Sequence, residues 1–290
     1  MIQRKFILGE EWLYYKLYCG PRTADHLLSA LILPLTEKLL SENLIAQWFF
    51  IRYADPKPHL RLRFKLQDNV NIGKVITEMK NQTLPYIEEK RLWKVQTDTY
   101  TRELERYGNT TMELSETLFF HDSILITKAM DLVEDDELYF LFMLQCISSF
   151  VHAFSFSAEE ELRFYQKNAL AFKEEFNMDK PSKLALDKKY RGLRKEIDQF
   201  LSSGASEYPP LWEVLKARDT YISKGIIVLL DKNKAGALEV PLQSLMSSYI
   251  HMFVNRAFRG KQRFYELVIY DFLERHTKSS IKRKTIIKHE

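Results

Sequence analysis

The chain reads as an α+β fold, with a small strand-rich unit at the front and a mostly helical half packed on it. Three observations predict this: two-residue alternation within the first hundred residues, a proline-rich turn between two such runs, and the near disappearance of strand signals after about Thr111. The segment Phe49 to Arg63, FFIRYADPKPHLRLR, carries the first two. Asp55-Pro56-Lys57-Pro58 supplies the turn, because each proline fixes φ and drives the preceding residue out of helical space. From His59 to Leu66 the alternation is strict. His59, Arg61, Arg63 and Lys65 share one face of the strand, and Leu60, Leu62, Phe64 and Leu66 share the other. The apolar row faces a core. The cationic row is either the solvated face of an edge strand or a place to hold an anion.

Taken in order, periodicity predicts a strand near Trp12 to Cys19, a helix near Ala24 to Leu40, and hairpin strands Gln47 to Ala54 and His59 to Leu66. A helix near Val70 to Leu84 and a strand near Leu92 to Tyr100 follow. The order βαββαβ is that of a ferredoxin-like sheet, in which both helices cover one face and the first and third strands lie centrally. Arg61 and Arg63 would then stand on a central strand, their face covered by whatever comes next in the chain. Helices are expected near Met112 to Val133, Glu137 to Phe156, Glu159 to Glu175, Ser182 to Leu201, Leu211 to Leu230, Leu238 to Phe258 and Lys261 to Arg275. The breaks between them, at Asp135-Asp136, Asn177 to Pro181, Ser202 to Pro210 and Asp231 to Gly236, are rich in turn formers but too short for interdomain linkers. One domain over 1–276 is expected, with sheet in 1–108 and helices in 109–276. The basic stretch 277–290, which holds Lys278, Lys282, Arg283, Lys284 and Lys288, is expected to be a flexible, solvated tail rather than an RNA-binding arm.

Hydrophobic residues at 46%, with aromatics at 13%, supply enough apolar surface for a well-filled interior and argue against disorder. The net charge of +4 is concentrated toward the end of the chain, which leaves the body near neutral and a nucleic-acid function weakly supported. Cys19 and Cys146 form neither a Cys-x-x-Cys pair nor a metal-ligand spacing, so a reducing, cytoplasmic setting without a metal is expected. The opening MIQRKFILGEEW has too short an apolar stretch for a secretory signal. The most apolar run, Leu138 to Phe154, is broken by Gln145, Ser148, Ser149 and His152 and reads as a buried helix rather than a membrane span. G-x-G-x-x-G, P-loop, H-E-x-x-H and G-x-S-x-G patterns are all missing, which removes the usual support for nucleotide, metal-hydrolase and α/β-hydrolase readings.

Two further clusters stand out. YTRELERYG, Tyr100 to Gly108, gathers Arg102, Glu103, Glu105 and Arg106 before a Tyr-Gly break. It is either a salt-bridged surface turn or a device that aims Arg106, held by a neighbouring acid, at the Arg61 strand. Glu116, Asp122 and Ser123 on the next helix read as a cap or a buried polar pair. In SSYIHMFVNR, Ser247 to Arg256, helical spacing puts Ser244, Ser248, His251 and Asn255 on one face of an otherwise apolar helix. His251 is either a satisfied core histidine or a base with polar partners.

Together RYADPKPHLRLRF, ELERYGN, ETLFFHDS and SSYIHMFVNRAF, in this order and spacing, resemble the carboxy-terminal glutamate-elimination domain of class I lantibiotic dehydratases, also found as the stand-alone thiopeptide-type bacteriocin biosynthesis protein. The resemblance runs from Trp12 to about Glu274. It implies a lyase that expels glutamate from glutamylated Ser or Thr of a precursor peptide to leave dehydroalanine or dehydrobutyrine. It would act as the split partner of a tRNA-dependent glutamylating protein, with no cofactor and no tRNA contact of its own. The family's elimination residues carry over to Arg61, Arg63, Arg106 and His251. The resemblance makes Arg52, His59, Glu105, Ser248, Asn255 and Arg256 candidates for substrate binding or support. Where the family has E-R-Y-G-G, this chain has Asn109 in the second glycine position, which puts the local turn in question. A thiopeptide heterocycle synthase of the same family and a non-catalytic peptide-presenting subunit are the alternative readings, and a homodimer is left open.

Overall fold

The structure, a computed structural model, describes residues 2–203 and 208–287. Part of the expected Ser202 to Pro210 break and the end of the expected tail, including Lys288, lie outside the described residues. The elements are β1 (Lys5–Phe6), β2 (Trp12–Tyr18), α1 (Pro21–Leu27), α2 (Leu33–Ser41), β3 (Ile45–Ala54), β4 (Pro58–Leu66), α3 (Ile72–Glu88), β5 (Lys94–Thr97) and β6 (Tyr100–Thr101). Helices follow: α4 (Leu104–Tyr107), α5 (Met112–Leu132), α6 (Asp136–His152), α7 (Ala158–Glu175), α8 (Lys180–Gly192), α9 (Arg194–Ser203), α10 (Pro209–Lys234), α11 (Leu242–Ala257) and α12 (Gln262–Ile287).

The main sheet has the order β3-β4-β2-β5 with every neighbour antiparallel. Its two inner strands, β2 and β4, are the first and third of the βαββαβ series, so Arg61 and Arg63 do stand on a central strand. The expected strand Leu92 to Tyr100 divides in two. At the bend the Asp98 carboxylate accepts the Thr99 amide at 2.7 Å and pairs with Lys16, and Tyr100–Thr101 leaves the sheet to pair with Lys5–Phe6. The expected helix Ala24 to Leu40 is interrupted by a π turn over Leu28–Ile32, just before Pro34, whose ring nitrogen has no hydrogen to donate to the preceding turn. The expected helix Ser182 to Leu201 breaks at Leu193, beside Gly192, and the helix expected to stop at Leu230 runs to Lys234 before Gly236 turns the chain at φ +65°. Helix α12 continues to Ile287, so residues 277–287 of the expected tail are helical. Asp198 of α9 receives His276 and Arg283 from this helix, each at 2.8 Å.

One sheet face holds Leu60, Leu62, Phe64, Trp48 and Phe50, each at most 1% exposed, and forms the core with the helices between the strands. Helices α5 and α11 come to the other side of β3. There Phe49 meets Phe119 at 5.5 Å between ring centres. They also close the outer edge of β3. The Phe50 amide donates to Ser123 Oγ at 3.3 Å, the Arg52 amide to Asn255 Oδ1 at 2.9 Å, and Asn255 Nδ2 returns a bond to the Arg52 carbonyl at 3.0 Å. An edge strand presents a row of unpaired backbone groups that must find partners if buried, and a carboxamide supplies both a donor and an acceptor. A buried clamp fixes β6 to α5: Arg102 grips Glu116 at 2.7 and 2.6 Å, and the Tyr100 hydroxyl donates to the same carboxylate at 2.7 Å. Glu116 is thus the buried polar pair its setting suggested. Leu138 to Phe154 falls largely within α6, a buried helix, and among the described residues no helix is long and apolar enough to cross a membrane.

Asn255→Ala leaves one backbone donor and one acceptor of β3 without partners, so unfolding by denaturant should show a loss of about 1–3 kcal/mol. An unchanged midpoint would mean that the edge is satisfied by other groups.

Candidate functional site

Cross-strand pairing sets the composition of the cationic face. Arg63 lies between Tyr14 and Phe49, Arg61 between Lys16 and Ile51, and His59 between Tyr18 and Tyr53. Partners directly opposite in an antiparallel pair share a face. The face is therefore aromatic at the Arg63 end and more open at the Arg61 end. Arg63 is 7% exposed, with its guanidinium carbon 4.5 Å from the Tyr14 ring centre, 4.8 Å from Tyr100 and 5.1 Å from Phe49. Rings hold the cation through their negative faces, yet among the described residues no carboxylate lies within ion-pair distance, and its Nε has no hydrogen-bond partner. Burial pushes its pKa down. Arg61 is half-buried, stacked 3.4 Å above the Tyr53 ring centre, and donates from Nε to His59 Nε2 at 3.3 Å. That bond makes His59 Nε2 the acceptor and leaves Nδ1–H to donate to the Lys57 carbonyl at 2.9 Å. Burial first, and the Arg61 charge next, lower the His59 pKa. His59 thus orients Arg61 as a neutral acceptor.

Arg106 comes from the single-turn helix α4, which ends at Gly108 with φ +76°. A side chain at 108 would be strained there, and its Cβ would approach Thr111 Oγ1 to 3.1 Å. Arg106 Nε donates to Ser248 Oγ at 3.2 Å, and its Nη1 lies 3.7 Å from Glu103. Glu103 also adds a small favourable field at Arg63. Glu105 does not join them. It is exposed and pairs with Arg4 at 2.7 Å, because the helical turn points residues 103 and 106 to one side and 105 to the other. Asn109 preserves the turn in its own way. Its side-chain amide and backbone amide donate to Glu239 Oε2 at 2.6 and 3.0 Å, and the Thr110 amide reaches Oε1 at 3.0 Å. These bonds to the charged form bring the Glu239 pKa down to about 2.

On α11, Ser248 meets Arg106 one turn before His251, and Asn255 meets β3 one turn after it. His251 is thereby set between the arginine turn and the sheet edge, about 5–6 Å along the helix from each contact. Its Nδ1 lies 2.7 Å from Oε1 of Glu266, a carboxylate on α12 that is 2% exposed. Glu266 escaped the sequence reading, whereas Glu103 was already in the cluster expected to supply an acid beside Arg106. The only trace of Glu266 is a lone acid in the apolar run FYELVIY. Three expected residues turn out to hold the frame. Arg52 pairs with Asp25 at 2.6 Å and donates to the Arg256 carbonyl at 2.9 Å, and Asn255 is consumed by the β3 edge. Arg256 is fully buried, donates to the Met252 carbonyl at 2.9 Å beside the Phe119 ring, and is lowered to about 10 by desolvation. Arg61 and Arg63 share the cationic face of β4, while Arg106 meets Ser248 on α11 and His251 lies one turn further along that helix. Cations of this kind can hold an anion, and a histidine can exchange a proton.

The family model described as the C-terminal part of lantibiotic biosynthesis dehydratases matches residues 12–277. The chain belongs to this family. Among curated relatives of this dehydratase C-terminal domain, subtilin biosynthesis protein SpaB of Bacillus subtilis is 29% identical over 262 residues, 86% of this chain and 24% of SpaB. Nisin biosynthesis protein NisB of Lactococcus lactis subsp. lactis is 38% identical over 136 residues, 46% of this chain and 13% of NisB. The chain therefore spans at most about a quarter of the relatives it matches. Among solved structures, the tRNA-dependent lantibiotic dehydratase MibB from Microbispora sp. 107891 superposes with a TM-score of 0.77 at 18% identity, over 98% of this chain and 29% of MibB. The pyridine synthase TbtD from thiomuracin biosynthesis superposes with a TM-score of 0.61 at 11% identity, over 93% of this chain and 98% of TbtD. Both share the fold of the dehydratase C-terminal domain.

Because the folded-state pKa of Glu239 is depressed, its contribution to stability is present above the ordinary value of 4.5 and is lost as pH falls toward about 2. Thermal melts of the protein and of Glu239→Gln should differ most near neutrality and converge across that window. A difference that stays constant down to pH 2 would place the origin elsewhere.

Proposed function

We propose that this domain expels glutamate from glutamylated Ser or Thr of a ribosomally made precursor peptide, as the partner of a separate glutamylating protein. The observation that carries the reading is Arg63: a cation buried among three rings with no carboxylate of its own. Removing a charge from water without a counter-ion is costly, so a site of this kind gains most from an anionic substrate. The glutamyl ester supplies one free carboxylate, and the elimination itself develops negative charge on a carbonyl oxygen and releases a second carboxylate. Arg63, Arg61 and Arg106 hold the glutamyl carboxylate, the carboxylate that is released, and the oxyanion that forms on the carbonyl next to the deprotonated carbon. His251 exchanges the proton. Loss of the α-proton leaves the C–H electron pair to form the Cα–Cβ double bond, the Cβ–O bond breaks, and glutamate departs with the electron pair of that bond, giving dehydroalanine or dehydrobutyrine.

The strand order and the two helical crossovers support a ferredoxin-like description of the sheet. Nothing in the chemistry calls for a cofactor, and a cytoplasmic setting suits both tRNA-derived substrate and the two buried free thiols, Cys19 and Cys146. A second reading, heterocycle synthesis, is favoured by the end-to-end match to TbtD. Retention of Arg61, Arg63, Arg106 and His251 weighs toward elimination.

A synthetic peptide bearing glutamyl-Ser, followed by mass spectrometry, should lose glutamate with the unmodified protein. Arg63→Ala and His251→Ala should each lower the rate by about 100-fold or more. Near-normal rates in both variants would remove these roles. An ester untouched by the unmodified protein would favour the heterocycle synthase or a peptide-presenting subunit.

A further inference from the structure

Glu266 is unusual for its surroundings. It sits in α12 among Leu267, Val268 and Ile269, each at most 2% exposed, and is itself 2% exposed. A buried carboxylate is a poor choice for packing, since an apolar side chain of similar volume would serve the two helices as well. Its Oε1 lies 2.7 Å from His251 Nδ1, and Arg263, one turn earlier and anchored to Glu175, reaches the same oxygen at 3.5 Å. His251 lies on α11 and Glu266 on α12, so the bond joins two helices and fixes the ring against both.

We propose that Glu266 is a positioning residue that holds His251 as the Nδ1–H tautomer, so that Nε2 is the nitrogen that takes the α-proton. The inference rests on the elimination reading and deepens it by assigning the direction of proton transfer. An ionised carboxylate only accepts hydrogen bonds, and neutral imidazole has one N–H and one bare nitrogen. At 2.7 Å the proton between the two groups therefore belongs to Nδ1, and the lone pair is left on Nε2. After Nε2 takes the proton, the imidazolium forms beside a carboxylate that was already in place, so its charge is balanced without reorganisation. The Ser248–Arg106 bond one turn away ties Arg106 to the helix that carries His251, which couples the base to a cation that can receive developing negative charge.

The test is Glu266→Gln, whose amide can either accept from Nδ1–H or donate to a bare Nδ1, so that the tautomer is no longer dictated. With glutamyl-Ser peptide the expected result is a fall in kcat of about 10- to 100-fold, in line with the loss of a partner that orients a working histidine. KM should hold, because the arginines that grip the carboxylates are untouched. In parallel, the long-range 15N–1H spectrum of the imidazole should show Nδ1–H in the unmodified protein and a mixture of tautomers in the variant. An Nε2–H tautomer in the unmodified protein would overturn the proposal whether or not the variant folds. So would a variant with unaltered kcat, or one in which only KM rises. If the unmodified protein leaves the ester intact while the variant still loses its Nδ1–H signal, the hold of Glu266 on His251 stands and the elimination reading falls.

Discussion

The backbone edge of β3 is the constraint on which the arrangement turns. A four-stranded sheet that is to be covered on both faces cannot leave a long edge strand half buried and unpaired. Ser123 from α5 and Asn255 from α11 act in place of a fifth strand, bonding the Phe50 amide and both polar groups of Arg52. Those bonds dock the helical half on the sheet in a single register. The same docking brings Ser248 to Arg106, with His251 one turn further along the same helix.

The electrostatics of the site follow from what the docking excludes. Aromatic rings from β2, β3 and β6 close around Arg63, and nearby acids pair with other cations: Glu103 with Arg106, Glu116 with Arg102, Asp98 with Lys16. The result is a cation with low hydration and no internal counter-ion. By itself that arrangement is a liability, tolerated because the surrounding packing is extensive. It becomes an asset when the missing negative charge arrives with the ligand, because an attraction formed in a dry, ring-lined pocket is screened little by water. Buried acids and bases thus divide into pairs that hold the frame and single groups that face outward to chemistry.

How much of this was legible depended on the range over which each residue acts. The strands of the hairpin, the inward Leu60, Leu62 and Phe64, and the cationic row of Arg61 and Arg63 are local alternation patterns, and they could be read directly. So could the polar stripe on α11. The bend at Asp98, the short β1–β6 pair and the break at Leu193 are decided by which distant segment offers a better partner, and periodicity carries no record of that. The basic end of the chain looked like a solvated tail because Lys and Arg are ordinarily at home in water. Asp198, far upstream, makes it a helix with a partner.

The site shows the same division. Residue types and spacing drew notice to the Arg61 and Arg63 strand, the Arg106 turn and His251, and the family resemblance gave those four their expected roles. The sequence could also place them on a strand, a turn and a helix. It could not tell that Asn255 would be consumed by a backbone edge, that Glu105 would turn away toward Arg4, or that Glu266 would arrive behind His251. A hydrogen bond needs two groups within about 3 Å, and residues fifteen or two hundred positions apart meet only once helices and sheet have packed. Composition determined what chemistry the chain could attempt, and tertiary packing decided which copies of each side chain were left free to attempt it.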